Sequence, residues 1–477
     1  MTVFFDEQEQ SSRDSLDLFV FALLSLCLPF FSIGSISLGE GGFAGFFVDR
    51  SQPLNFEIAI PLSIVFILLS LFLIYRRSPL IEKRKKLHIV YFLFAIFIAS
   101  RFFGIFLYPY ENPSFTFSSE IYGSSATVEY VFSIRDRFLS LLQDCCFGIY
   151  FLLVFGYFQT FGKKASTAAN VFLCGLVVLA LAAFAYTCLS QPEVLSNNIQ
   201  AALGKEGHYL KPLTSFTGHK NSYGFLLTLG CFSSLILFAK KPNPITPLLA
   251  VLFMLNCFLC LSRTATHLCF CALVLVLYLY PFFGFKTHSV YATICFVLAV
   301  LFSLVLAYIF TREEGSPLHR YITDLIRDMS DMGTVDSRKK HWDTAFTMMN
   351  SGFYQLFGYG RIPFYNLYRD YQIAIHAEMG VVTSHNGLIE IFMHFGFIGV
   401  FLSVIVVLFL FYTILRQLPK SDLGLTLIYF FVFVLLLVHF YFEPRFFTLD
   451  EGSTILLLGA FVFPCLRDYQ DHVLKEA

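Results

Sequence analysis

Residues Ser289–Phe310 read SVYATICFVLAVLFSLVLAYIF, with no charged side chain in the run. A helix rises about 1.5 Å per residue, so such a stretch reaches ~33 Å, the depth of a bilayer's hydrocarbon core. Outward from it the pattern repeats. The predicted spans are 16–38, 56–75, 87–107, 138–160, 167–190, 221–239, 245–261, 264–281, 289–310, 387–415, 422–442 and 452–466. The fold class this predicts is an all-α polytopic membrane protein with about twelve transmembrane helices. Composition agrees. Of 477 residues 57% are hydrophobic and only 14% charged, where a soluble domain carries about 25%. Mean hydropathy is +0.69. Disordered, collagen-like, disulfide-scaffold and conventional soluble-enzyme classes are excluded.

The 12 cysteines all fall in apolar segments, which reads as small buried hydrophobes rather than a disulfide framework. Cys257-Phe-Leu-Cys260 has CxxC spacing, yet inside a predicted span it reads as packing. The opening MTVFFDEQEQSSRDS is acidic and lacks a small-residue cleavage site, so the first span is expected to be a retained helix.

The 33 basic and 33 acidic residues cancel, and nothing points to nucleic acid. Their placement is informative. The loop after the second span carries Arg76, Arg77, Lys83, Arg84, Lys85 and Lys86, which marks it as cytoplasmic. Lys163, Lys164, Lys240, Lys241, Lys286, Arg416 and Lys420 then fall on the same side, with both termini. The outer side receives loops 39–55, 108–137, 191–220 and the long segment 311–386. The domain organisation is therefore 1–310 with nine spans, 311–386 as an outer cap, and 387–477 with three spans and a cytoplasmic tail. The cap holds the sole Trp, Trp342, and helix-like stretches near 318–332 and 338–350. It is expected to pack over the outer ends of the spans.

Ionisable groups at membrane depth are costly, so each begins as a functional candidate. Three outer clusters stand out: Thr217–Gly224, with His219, Lys220 and Asn221; Leu261–Ala265, with Ser262 and Arg263; and Asp336–Asp343 running on to Ser384–Gly387. Simpler roles exist for each. Lys220 can snorkel to an interface, Arg263 can anchor to headgroups, and Lys339 and Lys340 can form a solvated helix face. His267, His394 and His439 read as packing histidines inside spans.

Arginine and histidine together suit a sharper chemistry. Guanidinium forks match phosphate oxygens bidentately, and a histidine can take a proton from a hydroxyl. The set fits a transfer in which arginines stabilise a departing pyrophosphate while histidine activates the acceptor. Walker, HExxH and membrane-face DxD motifs are absent from the sequence, so no metal is expected. An outer face without ATP requires a donor already activated on a lipid phosphate.

These residues, in this order, resemble the O-antigen ligase superfamily, which includes Wzy-type polymerases and protein O-oligosaccharyltransferases. His385-Asn386, nine residues, Gly396, two residues, Gly399 resembles its His-[Asn/Ser/Gln]-x9-Gly-x-x-[Gly/Thr/Tyr] signature. Ser262-Arg263 is similar to its Ser-Arg turn, and Ser337-Arg338 with Trp342 to the start of its large periplasmic loop. Phe357-Gly358-Tyr359-Gly360 resembles the Gly-x-Gly segment of that loop, and Gly218-His219-Lys220-Asn221 an Asn-bearing motif. The resemblance implies a GT-C-like glycosyltransferase of the bacterial inner membrane, active at its periplasmic face without cofactor or metal. Its donor would be an undecaprenyl-pyrophosphate-linked glycan, its acceptor lipid A-core or another glycan, and membrane lipids its surroundings. By resemblance Arg263 and Arg338 bind the pyrophosphate and His385 activates the acceptor hydroxyl. Lys220, Asn221, Trp342, Arg361 and Asn386 are the expected substrate-binding residues. Polymerase and protein glycosyltransferase remain alternatives. A lipid-linked sugar transporter is the alternative from another class, though transporters place polar residues at the midplane of internal repeats.

Overall fold

The computed structural model describes residues 14–25, 56–78, 85–104, 114–119, 124–129, 134–157, 160, 164–202, 205, 207–208, 211–215, 220–284, 288–311, 341–349, 352–360, 367–368, 384, 386–417 and 423–442. In chain order the helices are α1 (14–25), α2 (Phe56–Arg77), α3 (Lys85–Phe102), α4 (Ile134–Leu152, continued by a π-helical turn over Leu153–Tyr157), α5 (Lys164–Ser190) and α6 (Pro192–Ala202). They continue with α7 (Lys220–Lys240), α8 (Ile245–Leu259), α9 (Arg263–Gly284), α10 (Ser289–Thr311), α11 (341–348), α12 (Gly352–Phe357), α13 (Gly387–Gln417) and α14 (Leu423–Phe442). One hairpin is added to this helical architecture between α3 and α4. There β1 (Ser114–Ser119) pairs antiparallel with β2 (Ser124–Glu129), Ser114 opposite Glu129 and Ser119 opposite Ser124. The Phe, Thr and Val residues of SFTFSS and SSATVE supply the β-propensity.

Among the described residues, Ser140–Tyr157, Thr167–Ser190, Tyr223–Lys240, Arg263–Phe282 and Gly387–Tyr412 are long and apolar enough to cross a membrane. Tyr91–Phe102, Ile245–Leu259, Ser289–Leu304 and Thr426–Tyr441 are shorter apolar helices. The chain is a multi-pass helical membrane protein. Of the predicted span 16–38 the structure describes residues up to 25. The predicted span 452–466 and the helix-like stretch 318–332 lie outside the described residues.

Helix α7 runs through the middle, with Leu227, Cys231 and Phe232 fully buried. Small residues let its neighbours close on it. A Cβ on Gly230 would lie 2.5 Å from the Ala180 Cβ of α5 and 3.0 Å from the Phe253 ring of α8. The buried thiols behave as packing groups: Cys260 Sγ contacts the Cys257 carbonyl at 3.2 Å, and Cys257 Sγ lies 3.9 Å from Cys269 Sγ.

Charge gathers at the two ends of the bundle. At one end Arg77 pairs with Asp14 and Asp17, both at 2.8 Å, and Arg76 with Asp17 at 2.6 Å. Lys240 donates there to Asn170 at 2.6 Å. At the other end Arg101 of α3 pairs with Asp144 of α4 at 2.7 Å, and His394 faces Glu390 at 3.1 Å.

Candidate active site

The turn that presents Arg263 is made by the end of α8. Leu261 N–H donates to the Phe258 carbonyl at 3.1 Å and Ser262 N–H to the Cys257 carbonyl at 3.3 Å. This is a Schellman closure in which Leu261, with φ 62°, takes the left-handed position usually given to glycine. A side chain there costs about 1–2 kcal/mol. The Ser262 carbonyl then accepts Thr266 N–H and Thr266 Oγ1, both at 2.9 Å, so Ser262 caps α9 and Arg263 is its first residue. Ser262 itself is buried against α7, where a Cβ on Gly224 would lie 2.3 Å from Ser262 Oγ. Arg263 is exposed. A cation at a helix N-terminus runs against the macrodipole. The position suits an anion that engages both the guanidinium and the N–H groups of the first turn.

Two elements brace this turn. Asn198 of α6, fully buried, donates through Nδ2 to the Leu259 carbonyl at 2.8 Å and the Lys211 carbonyl at 2.6 Å, while its Oδ1 accepts Lys211 N–H at 2.9 Å. Lys220 and Asn221, both half-buried, open α7 beside it, and Cys260 Sγ lies 3.8 Å from the Lys220 carbonyl.

The second part of the site is a break in α13. Gly396 has φ 65° and ψ −165°, so the predicted span 387–415 is two helices in space. The break leaves carbonyls of the preceding turn without their helical partners. The Gly-x-Gly segment takes them up: Tyr359 N–H donates to the Met393 carbonyl at 2.8 Å and Gly360 N–H to the His394 carbonyl at 3.0 Å. Backbone lies on backbone here. A Cβ on Gly396 would lie 2.3 Å from the Leu356 carbonyl atoms, and one on Gly358 (φ 72°) 2.4 Å from the His394 carbonyl carbon. Only residues without side chains permit the approach. Tyr359 closes the segment, its ring stacked on Tyr354 with centroids 4.1 Å apart and its hydroxyl donating to the Met348 carbonyl. Burial and the neighbouring Tyr354 push its phenol above the usual range, which keeps it a neutral donor.

The third part is the N-terminus of α13. Asn386 Oδ1 accepts the N–H groups of Leu388 at 3.0 Å and Ile389 at 3.2 Å, so Asn386 is the helix N-cap. Ser384 is fully buried and fixed on both sides. Its N–H donates to Glu390 Oε1 at 2.6 Å, and its carbonyl accepts Trp342 Nε1 at 3.0 Å. Glu390 and His394 are each about 2% exposed and face one another. Asn386 and Trp342, expected to bind substrate, thus spend these polar atoms on the turn that flanks His385.

The parts meet through α7 and α14. Gly224 touches Ser262, and the next residue, Phe225, lies with its ring centroid 4.7 Å from that of His439 in α14. The residue after His439, Phe440, packs on Gly387, where a Cβ would lie 2.0 Å from the Phe440 ring. Arg263, Lys220, Asn221, Trp342 and Asn386 therefore belong to elements joined at one end of the bundle. His385, Arg338 and Arg361 lie outside the described residues, as do His219, Lys339 and Lys340. Glu390, Arg101 and Asp144 were not anticipated from the motifs. The signal was present, since each is a charge within or beside a predicted span. His394, read as a packing histidine, faces Glu390.

Residues 248–404 match the family model described as O-antigen ligase, Wzy_C. The matched segment, about a third of the chain, is similar to an O-antigen ligase domain. The domain runs from α8 through the break in α13, and so takes in Ser262–Arg263 and the whole His385–Gly399 signature. It supports the superfamily resemblance, and with it a ligase- or polymerase-like membrane function in polysaccharide biosynthesis. No curated protein and no solved structure matches the chain. Helices α1–α7 and α14 lie outside the O-antigen ligase domain.

Proposed function

We propose that the protein transfers a glycan from undecaprenyl pyrophosphate to an acceptor sugar hydroxyl on lipid A-core. The reaction takes place at the periplasmic face of the bacterial inner membrane, with both termini in the cytoplasm. One observation carries this reading. The O-antigen ligase domain contains both the Ser262–Arg263 turn and the His385 signature, and contacts through Gly224, Phe225, His439, Phe440 and Gly387 link those two elements at one end of the bundle.

In the proposed reaction His385 accepts the proton of the acceptor hydroxyl. The oxygen attacks the anomeric carbon of the donor, and the bond from that carbon to the phosphate oxygen breaks. Undecaprenyl pyrophosphate leaves with the electron pair, its charge met by Arg263 and Arg338. Arg361, Lys220 and Asn221 contact the substrates, and Asn386 and Trp342 hold the turn that carries His385. No cofactor or metal takes part. The apolar helices keep the prenyl chain in the bilayer while its pyrophosphate reaches α9.

The test is surface polysaccharide in a deletion strain complemented with wild-type or His385→Ala protein. A ligase predicts loss of polymer from lipid A-core with lipid-linked polymer accumulating, and rescue by wild type alone. Lipid A-core capped with single repeats would instead indicate a polymerase. Unchanged polysaccharide would remove the transferase reading.

A further inference from the structure

The seat of the Gly-x-Gly segment is held from helices that the O-antigen ligase domain does not include. Arg101, in the last turn of α3, is fully buried. Its Nε donates to Asp144 Oδ2 and its Nη1 to the Phe357 carbonyl, both at 2.7 Å. Its guanidinium carbon lies 4.8 Å from the centroid of the Phe395 ring. Phe357 also packs on α3's end, where a Cβ on Gly104 would lie 3.0 Å from Phe357 Cβ. One side chain thus grips α4, the outer segment and the broken helix together. A planar fork makes this possible, with N–H groups spread over three nitrogens and a flat face for the ring; an ammonium gathers its donors on one nitrogen and has no flat face.

The contacts run on toward the chemistry. Three residues beyond Phe357, Gly360 bonds to the His394 carbonyl. The His394 ring faces Glu390, whose other oxygen accepts Ser384 N–H. Ser384 immediately precedes His385.

We propose that Arg101 and Asp144 are positioning residues for the transfer reaction. They latch residues 352–360 onto the break in α13, and so set where the Ser384–Asn386 turn, and His385 with it, stands. The inference rests on the transferase reading above. It also accounts for a buried ion pair where apolar side chains would fill the same volume without desolvation cost.

The test uses the full-length protein in nanodiscs with lipid-linked donor and acceptor. Arg101→Lys, Arg101→Ala and Asp144→Asn are each expected to lower kcat by about 10–100-fold, with donor KM within about twofold, because misplacement by about 1 Å costs rate of that order. Hydrogen exchange at the Tyr359 and Gly360 amides should rise about tenfold or more in the same variants, with the buried amides of α7 unchanged. The Lys and Asn variants preserve volume and decide the matter if the Ala variant does not fold. Wild-type kcat in both of them, or unchanged exchange at 359–360, overturns the latch. His385→Ala runs alongside. A wild-type protein that transfers no glycan sinks the transferase reading, while exchange still decides the latch. An inactive His385→Ala beside fully active Arg101→Lys and Asp144→Asn proteins sinks the latch alone.

Discussion

Glu390 reaches back six residues along the chain and accepts the Ser384 backbone N–H at 2.6 Å, in a site where both residues are buried. The carboxylate's other oxygen faces His394 Nε2 at 3.1 Å. One side chain therefore ties the approach to α13 to the turn just before its break. Glu390→Ala removes both contacts and leaves a buried N–H unsatisfied. We expect a loss of about 1–3 kcal/mol, the usual cost of leaving a buried donor unsatisfied, read as thermal unfolding in detergent. Glu390→Gln keeps an acceptor for Ser384 and should cost less than half as much.

His385 is assigned the proton transfer. His385→Ala should lower turnover by about 10²–10⁴-fold, the common range for a lost acid–base group, with the unfolding temperature unchanged. Assay with purified lipid-linked donor and acceptor measures it, and full activity would sink the assignment.

Arg263, first residue of α9, is assigned to the departing pyrophosphate. Arg263→Ala should cost on the order of 1.5–3 kcal/mol of transition-state stabilisation. Arg263→Lys restores the charge without the fork, so its kcat/KM should remain close to the Ala value. Wild-type rates in the Lys variant would show that charge alone suffices.

Gly396→Ala puts a Cβ against the Leu356 carbonyl at a positive φ. Strain of this kind costs about 1–3 kcal/mol before the collision is counted. The outer segment should come away from α13, so proteolysis between 352 and 368 should speed up relative to wild type. Equal cleavage rates would mean the break tolerates a side chain.

Asn198→Ala unties the turn before Arg263 without touching any charge. Four side-chain hydrogen bonds go, two of them to the Leu259 and Lys211 carbonyls, and ~1–3 kcal/mol of stability should go with them. Donor KM should rise as Arg263 loses its brace. A melting curve identical to wild type would contradict the brace.

Much of the helical layout is legible in the sequence because apolar runs have one use at this length. Ser289–Phe310 reads as a span and is α10. The Ser262–Arg263 turn is legible too, since two apolar runs meet there with no room for a loop. The break at Gly396 is not. A single glycine in a 31-residue apolar helix is compatible with straight geometry, and only the docked backbone of Leu356–Phe357 demands the positive φ. Arg101 and Asp144 stand 43 positions apart, and their pairing depends on how α3 meets α4. His394 reads as packing because its partner, Glu390, matters only once the preceding turn is in place. The hairpin at 114–129 escapes notice because short alternating segments carry a weak signal beside long apolar runs.

The charged contacts at opposite ends of the bundle have a mechanical consequence. Arg77 is pinned to Asp14 and Asp17 at one end, and Arg101 to Asp144 at the other. Each tie fixes one pair of helices, α1 to α2 and α3 to α4, so neither pair is free to slide to match a bilayer of different thickness. The lipid has to adjust instead, by thinning or stretching its acyl chains around a rigid rim. Under the proposed reaction, catalysis should then follow acyl-chain length with an optimum, because the bilayer would set the height at which a prenyl pyrophosphate meets Arg263.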